Sequence, residues 1–389
     1  MTAPTAALSG SAATAGPPAA RTGFHALEVV RTTAAADDGS ALAVTLRVPG
    51  ELRERFAFSP GQHVTVRAEL SGTEVRRSYS LCSTPDELRR DGVLRVGVRA
   101  VAGGLFSTHV RERLSPGDVL EAAPPDGRFT TDVHPARRRR YAAVVAGSGI
   151  TPVLSLVTHA LAVEPESTFT VLYGNRSAAS AMFLDELADL KDRHGPRLRL
   201  LHFLSREAQQ TGPAGRRLDA ATLAGVLGTL LPPWRVDEWF VCGPYTMAHG
   251  ARRALEQAGV APSTVHTELF QAAPPAAPSA PADAGAASGE TAGGAAEGAS
   301  LEVRLEGRTS TVRTAPGQTI LDAALSARPE LPYSCRAGVC ATCRAKVVSG
   351  GATMPDRFTL TAEERADDYV LTCQAVPTTA TLSVDYDVV

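Results

Sequence analysis

Four cysteines in the last quarter of the chain carry the clearest chemistry: Cys335, Cys340, Cys343 and Cys373, spaced C-x4-C-x2-C-x29-C. Thiolates bind soft metals, and the C-x4-C-x2-C…C spacing is that of a plant-type [2Fe–2S] cluster. A structural zinc site normally supplies two close ligand pairs; here a single C-x2-C pair exists and no histidine follows His266. The residues between the ligands are small: Ala337, Gly338, Ala341 and Thr342. Such a loop can turn its backbone N–H groups toward sulfur. Cys82 and Cys242 stand alone in strand-like surroundings, where a buried thiol serves as a small hydrophobe.

A second set of candidates lies at turns that follow apolar strands. Gly147-Ser148-Gly149-Ile150-Thr151-Pro152 follows the run Tyr141–Ala146. Its glycines let the backbone approach a phosphate, and Thr151 can cap a helix that Pro152 begins. Proline stands where the third glycine of a full G-x-G-x-x-G fingerprint would be, so a plain tight turn is the competing reading. Tyr173-Gly174-Asn175-Arg176 and Cys242-Gly243-Pro244 end two further strands, and a parallel sheet gathers such ends on one edge. Ser205-Arg206 ends another, offering a hydroxyl and a guanidinium suited to an additional phosphate or, more plainly, an exposed loop. Upstream, Arg77-Ser78-Tyr79-Ser80 lies in a strand, and Gly103-Gly104-Leu105-Phe106-Ser107 forms a possible phosphate cradle.

The elements that must hold these residues divide the chain. Residues 22–134 alternate over short segments such as HALEVVR, ALAVTLRV and QHVTVRAE, the period of half-buried antiparallel strands in a barrel or sandwich. From 135 to 271 the pattern becomes strand–helix–strand, with strands at 141–146, 168–173, 197–203 and 238–242. Helices are expected near 152–162, 180–193, 217–230 and 245–258, giving a parallel α/β sheet. Residues 272–300 lack Leu, Ile, Val, aromatics and positive charge, and read as a flexible linker spanning about 30 Å. Residues 301–389 open with a hairpin, continue through a short helix at 319–327 and the cysteine loop, and close on a strand. Residues 1–21 read as a disordered tail without a secretion signal.

The 389 residues carry a net charge of −2, giving no footprint of a nucleic-acid partner, and no run approaches a membrane span. With no secretion signal or membrane span read from the sequence, a cytoplasmic protein is expected, and in that reducing compartment six cysteines argue against disulfides. Arg336, Arg344 and Lys346 flank the ligands, so the cluster face is expected to be basic and to dock an acidic surface.

With RSYS, GGLFS, GSGITP, YGNRS, CGP and the cysteine loop in this order, the chain resembles the ferredoxin–NADP reductase superfamily, and more narrowly the oxygenase reductases with a fused C-terminal plant-type ferredoxin. The resemblance implies an antiparallel β-barrel flavin domain, an α/β parallel-sheet nucleotide domain and an α+β (β-grasp) ferredoxin domain. It places Tyr79 at the isoalloxazine, Ser80 by its N5 and Arg77 on phosphate, with Gly103, Gly104 and Ser107 matching the pyrophosphate turn that favours FAD over FMN. Gly147, Gly149, Thr151 and Arg176 fall to the nicotinamide dinucleotide, and Cys242 and Gly243 to its nicotinamide. Ser205 and Arg206 match the pair that reads a 2′-phosphate, favouring NADPH over NADH. Glu268 and Phe270 lie where such domains return a carboxylate and an aromatic toward the flavin. The resemblance implies electrons passing from NADPH through FAD and one [2Fe–2S] cluster to the oxygenase subunits of a multicomponent di-iron monooxygenase. A ring-hydroxylating dioxygenase or soluble di-iron hydroxylase is the competing partner. A non-enzymatic redox-sensing iron–sulfur protein is the competing class.

Overall fold

The computed structural model describes residues 23–207, 215–270, 298–355 and 359–388. The tail expected at 1–21 and most of the linker expected at 272–300 lie outside the described residues.

Six strands and two helices build the first unit: β1 (His25–Ala34), β2 (Ala41–Arg47), β3 (His63–Leu70), β4 (Thr73–Ser80), α1 (Pro85–Asp91), β5 (Val93–Arg99), α2 (Leu105–Glu112) and β6 (Val119–Ala122). The strands form one antiparallel sheet, ordered β4-β3-β6-β1-β2-β5. A bridge between Leu81 and Val96, and the hydrogen bond from the Cys82 N–H to the Arg95 carbonyl, bring its two edges together as a barrel. Alternation explains the core. Leu27, Val29, Val44, Leu46, Val64, Val66, Leu94 and Val96 point inward, and α2 adds Phe106 and Val110 from one end. Helix α1 starts on a capping box, in which Thr84 and Glu87 each satisfy the other's backbone N–H, and stops at Gly92 with φ 68°.

The second unit alternates strand and helix: β7 (Arg140–Ala146), α3 (Ile150–Val163), β8 (Thr168–Asn175), α4 (Leu184–His194), β9 (Leu198–Leu204), α5 (Ala220–Thr229), β10 (Glu238–Gly243), α6 (Tyr245–Gln257) and β11 (Val265–Leu269). All five strands are parallel, in the order β11-β10-β7-β8-β9. Both faces are covered, as a parallel sheet requires. Tyr141, Ala143 and Val145 of β7 pack toward α3 and α4. Ala142 and Val144 pack toward α5 and α6. The strand order reverses between β7 and β10, which makes the gap above their carboxyl ends the topological switch point.

Barrel and α/β unit are joined closely. Arg95 of β5 holds Glu186 of α4 through two 2.7 Å contacts, and Ser155 donates to the Ser83 carbonyl at 2.6 Å. Gly97 has no side chain because a Cβ there would lie 2.7 Å from Thr151 Cγ2 and 2.9 Å from Met182 Cε.

The third unit comprises β12 (Ser300–Leu305), β13 (Arg308–Arg313), α7 (Ile320–Ala324), β14 (Arg344–Ser349), β15 (Ala352–Thr353), α8 (Ala362–Ala366), β16 (Tyr369–Leu371), β17 (Val376–Pro377) and β18 (Thr381–Asp385). Its main sheet is ordered β13-β12-β18-β14-β16, mixing parallel and antiparallel pairs around α7. The expected helix at 319–327 is shorter, capped by Thr319 and ending at Ala324.

Candidate functional site

The carboxyl ends of the parallel strands bring most of the candidate residues to one edge. At the switch point, Gly149 lies so close to β10 that a Cβ would fall 2.2 Å from the Cys242 carbonyl oxygen. The turn Gly147–Gly149 winds directly into α3, so the helix begins at Ile150. Thr151 therefore does not cap the helix as expected; it lies inside the first turn and donates its hydroxyl to the Ser148 carbonyl at 3.0 Å. Pro152 fits there because N–H groups of a first turn have no intrahelical partner.

Three candidates from separate segments meet beside this turn. Ser80, at the end of β4, donates to Glu268 Oε2 at 3.0 Å, and the Cys242 thiol faces the same oxygen at 4.0 Å. Burial, reinforced by the Glu268 carboxylate, pushes the Cys242 thiol well above its ordinary range, so it stays protonated. The other oxygen of Glu268 faces His63 Nδ1 at 3.7 Å. Burial opposes a charged His63 ring, but the hydrogen bond and charge of Glu268 outweigh it, raising the pKa above the usual histidine value. Phe270 is partly buried against the apolar cluster that contains Cys242 and Phe129.

On the barrel, Tyr79 packs its ring 5.5 Å from Phe106 of α2, and Arg77, exposed, donates to the Arg76 carbonyl at 2.7 Å. Gly103 adopts φ 71°, and a Cβ on Gly104 would sit 2.7 Å from Ser107 Oγ. Ser107 is buried, and its hydroxyl is taken up within the turn: it accepts from the Val101 N–H and donates to the Gly104 carbonyl. The turn is thus braced from inside at the start of α2. Val101 (56% exposed) and Leu105 (55%) flank it as an apolar shelf.

At the ends of β8 and β9, the Ser205 N–H donates to the Asn175 carbonyl and the Arg206 N–H to the Arg176 carbonyl. These bonds extend the strand pairing and bring Arg176, Ser205 and Arg206 side by side. Glu207 is turned away, accepting from the Ala178 N–H.

The four C-terminal cysteines form two pairs and no disulfide. Cys335 interacts with Cys340, and Cys343 with Cys373. In each pair one thiol is depressed. Cys335 is lowered first by its hydrogen bond with Cys340 and then by the N–H groups of Ala337, Val339 and Cys340; Cys373 is lowered first by Cys343 and also by the Gly338 N–H. Arg336 and Ala341 adopt φ 52° and 55°, turning the loop around the sulfurs. Among the described residues no three His, Cys, Asp or Glu side chains gather for a single metal ion. Two pairs of cysteine sulfurs with N–H donors turned toward them are a donor set that would suit a two-iron cluster, which would take all four as thiolates.

The cysteine loop does not face solvent freely. Val339 is buried in the apolar core above β10, with Cys335 and Ala337 packed against it. Thr342 Oγ1 lies 3.5 Å from His63 Nε2. Arg76 stacks 4.1 Å over the Tyr333 ring, and Glu364 is shared by Arg128 of the barrel unit and Arg344. The expected basic cluster face is accordingly not free: Arg344, only partly exposed, pairs with Glu364, Arg336 pairs with Asp322, and Lys346 lies over Tyr369. A cavity of about 1250 Å³ separates the three units, lined by Gln62, His63, Thr267, Glu268, Cys340 and Thr342 among others. Thr267 has a buried hydroxyl with no partner among the described residues, a polar atom available to a bound group. His63, Arg128 and Glu364 carry no signal in the sequence, because nothing local marks residues that meet across three units.

The site and fold define a flavin- and nicotinamide-dependent electron-transfer protein with its own iron–sulfur unit. Family models agree: an oxidoreductase FAD-binding domain matches residues 27–131, an oxidoreductase NAD-binding domain 144–253, and a 2Fe-2S iron-sulfur cluster binding domain 303–378. The chain belongs to the oxygenase reductases of the ferredoxin–NADP reductase superfamily that carry a C-terminal 2Fe-2S domain. It is 38% identical to a component of the 1,2-phenylacetyl-CoA epoxidase of Escherichia coli (strain K12), covering 94% of this chain and 98% of that protein. It is 31% identical to the ferredoxin reductase component of 3-ketosteroid-9-alpha-monooxygenase of Rhodococcus rhodochrous, over 88% and 92%. Among solved structures, phthalate dioxygenase reductase shares the fold with a TM-score of 0.54 and 21% identity, over 93% of this chain and 98% of that one.

Proposed function

We propose that the protein is the reductase partner of a di-iron oxygenase of the phenylacetyl-CoA epoxidase type, working in the cytoplasm with NADPH as donor. The observation that carries this reading is the meeting of Ser80, Cys242 and Glu268 at the switch point with the cysteine loop seated directly over it. FAD would supply the conversion of a two-electron donor to single electrons, and the cluster would accept those electrons one at a time. Arg77 and the Gly103–Gly104 turn would hold its phosphates, with Tyr79 against the ring system. The apolar shelf of Val101 and Leu105 beside that turn favours a dinucleotide, whose adenine needs such a surface, over FMN.

Gly147 and Gly149 let the nicotinamide dinucleotide approach the backbone. Arg176, Ser205 and Arg206 together present two guanidinium groups and a hydroxyl to a 2′-phosphate. Ser80 and Glu268 orient the reacting ring, and the protonated Cys242 adds no second negative charge beside the Glu268 carboxylate. Cys335, Cys340, Cys343 and Cys373 would hold the [2Fe–2S] cluster. We assign residues 22–134, 135–271 and 301–389 as the corresponding domains.

The test is direct. Purified protein should contain FAD and two irons per chain, reduce cytochrome c with NADPH faster than with NADH, and support epoxidation when mixed with the oxygenase subunits of a phenylacetyl-CoA epoxidase. A second reading, service to a ring-hydroxylating or steroid oxygenase, is favoured by the 31% identity to the ketosteroid monooxygenase component. It predicts turnover with that oxygenase and none with the epoxidase.

A further inference from the structure

His63 belongs to no motif, yet its ring stands between the two sites. It is buried at 4% exposure, and its backbone is fixed by reciprocal hydrogen bonds with Asp126, at 2.8 Å and 2.9 Å. The ring is seated against Gly127, where a Cβ would come within 2.9 Å of Nδ1. Nδ1 faces Glu268 at 3.7 Å and Nε2 faces Thr342 at 3.5 Å. Ser80, Glu268, His63 and Thr342 thus form one file from the end of β4 to the loop between Cys340 and Cys343.

A histidine suits this place because its two ring nitrogens point in different directions, each able to serve a different partner. An aliphatic side chain of similar size would leave the Glu268 oxygen and the Thr342 hydroxyl without this polar neighbour. The other contacts of the third unit are at Tyr333, at Glu364 and at Val339, which seats the start of the cysteine loop in the core above β10. Past Cys340, the contact toward Glu268 is that of Thr342 with His63.

We propose that His63 is a positioning residue that fixes the Cys340–Cys343 loop over the Ser80–Glu268 site and thereby sets the rate at which the cluster is reduced. This rests on the reading of the chain as a flavin and iron–sulfur reductase. With both groups bound, the step it would govern is a one-electron transfer in which flavin would serve as reductant and the cluster as oxidant, with no bond made or broken between them. The geometry of donor and acceptor, rather than the handling of NADPH, is what Thr342 and His63 control.

The experiment uses the complete holoprotein and follows flavin reduction and cluster reduction separately by stopped-flow absorbance after mixing with NADPH. Thr342→Val removes the hydroxyl at nearly constant shape. It should leave flavin reduction unchanged, slow cluster reduction about tenfold, and speed amide exchange in Val339–Cys343 but not in α8. His63→Asn keeps a polar atom near Nδ1 but none at Nε2, and should slow cluster reduction by a similar factor. The double variant should be no slower than Thr342→Val, which breaks the same contact with His63 and also removes the hydroxyl from beside Cys340. Additive slowing in the double variant, or cluster reduction at the wild-type rate in Thr342→Val, overturns the proposal. Wild-type protein that lacks flavin or iron would instead overturn the functional reading on which it rests.

Discussion

Gly149→Ala tests the claim that the switch point is built on contact between two backbones. Gly149 has φ −60°, an ordinary helical value, so alanine meets no conformational penalty there. The added Cβ would nevertheless sit 2.2 Å from the Cys242 oxygen, 2.6 Å from its carbon and 3.0 Å from the Gly243 nitrogen, where ordinary contact begins at 3.4 Å. More than 1 Å of separation is needed, and β10 cannot yield it easily because it is paired to β7 on one side and β11 on the other. Overpacking against main chain belongs at the upper end of its usual cost, about 3 kcal/mol, of which alanine's helix preference offsets at most about 1 kcal/mol. The net loss of about 2 kcal/mol corresponds to a fall in Tm of roughly 4–8 °C for a unit of this size. Displacing Cys242 should also raise KM for NADPH. Gly147→Ala is the control: φ is +56° with nothing within 4 Å, so its cost is the left-handed backbone alone, about 1–2 kcal/mol, without steric pressure on β10. Calorimetry and steady-state kinetics on both variants decide the matter. If Gly149→Ala melts within about 1 °C of wild type and keeps its KM, the close approach is not what holds the site.

Further outcomes follow from the same geometry. Ser80→Ala and Glu268→Gln should each slow flavin reduction by NADPH about tenfold to a hundredfold, the effect of the orienting role proposed for both; stopped-flow bleaching of the flavin measures it. Arg206→Ala should raise KM for NADPH about tenfold while leaving NADH unchanged, the effect of losing one charge-assisted contact to a 2′-phosphate. For Glu364, burial opposes the carboxylate, but Arg128, the Thr361 N–H and Arg344 outweigh it and hold its pKa below the ordinary value. A depressed carboxyl stabilises the docked third unit above its unfolded pKa of about 4.3 and loses that contribution as pH falls through the lower folded-state value. Small-angle scattering should therefore show expansion on acidification, and Glu364→Gln should be expanded already at neutral pH.

Much of the architecture is legible in the sequence because it is local. Strand alternation in β5, the glycine turn after β7 and the cysteine spacing each occupy a short window, and the helices α3 to α6 fall within a few residues of their expected places. The T-P-D-E capping signal of α1, the helix that Gly92 ends, is equally local. Other features depend on where distant segments meet. Nothing around His63 marks it as a neighbour of both Glu268 and Thr342, and the capping role expected of Thr151 fails because the helix already begins at Ile150 with Gly149 at its cap. Charge is the least legible. Arg344 has the look of a surface cation by its place in the chain, but its neighbour across the fold is Glu364.

That last point changes how docking to an oxygenase should be tested. Arg344→Glu would set a second carboxylate beside Glu364 in a buried pair where Arg344 is 12% exposed, so any slower transfer to a partner would follow from a loosened third unit rather than a lost contact. Arg336 is the cleaner probe. It is half-exposed, pairs with Asp322 at 3.1 Å, and its ion pair is of the surface kind worth at most about 1 kcal/mol to the fold. Arg336→Glu should leave Tm and cluster reduction by NADPH near wild type. If the oxygenase presents an acidic surface, the same change should slow reduction of that partner, and the slowing should weaken as added salt screens both charges. Equal transfer rates for wild type and Arg336→Glu at low ionic strength would show that this side of the cluster loop is not where the partner binds.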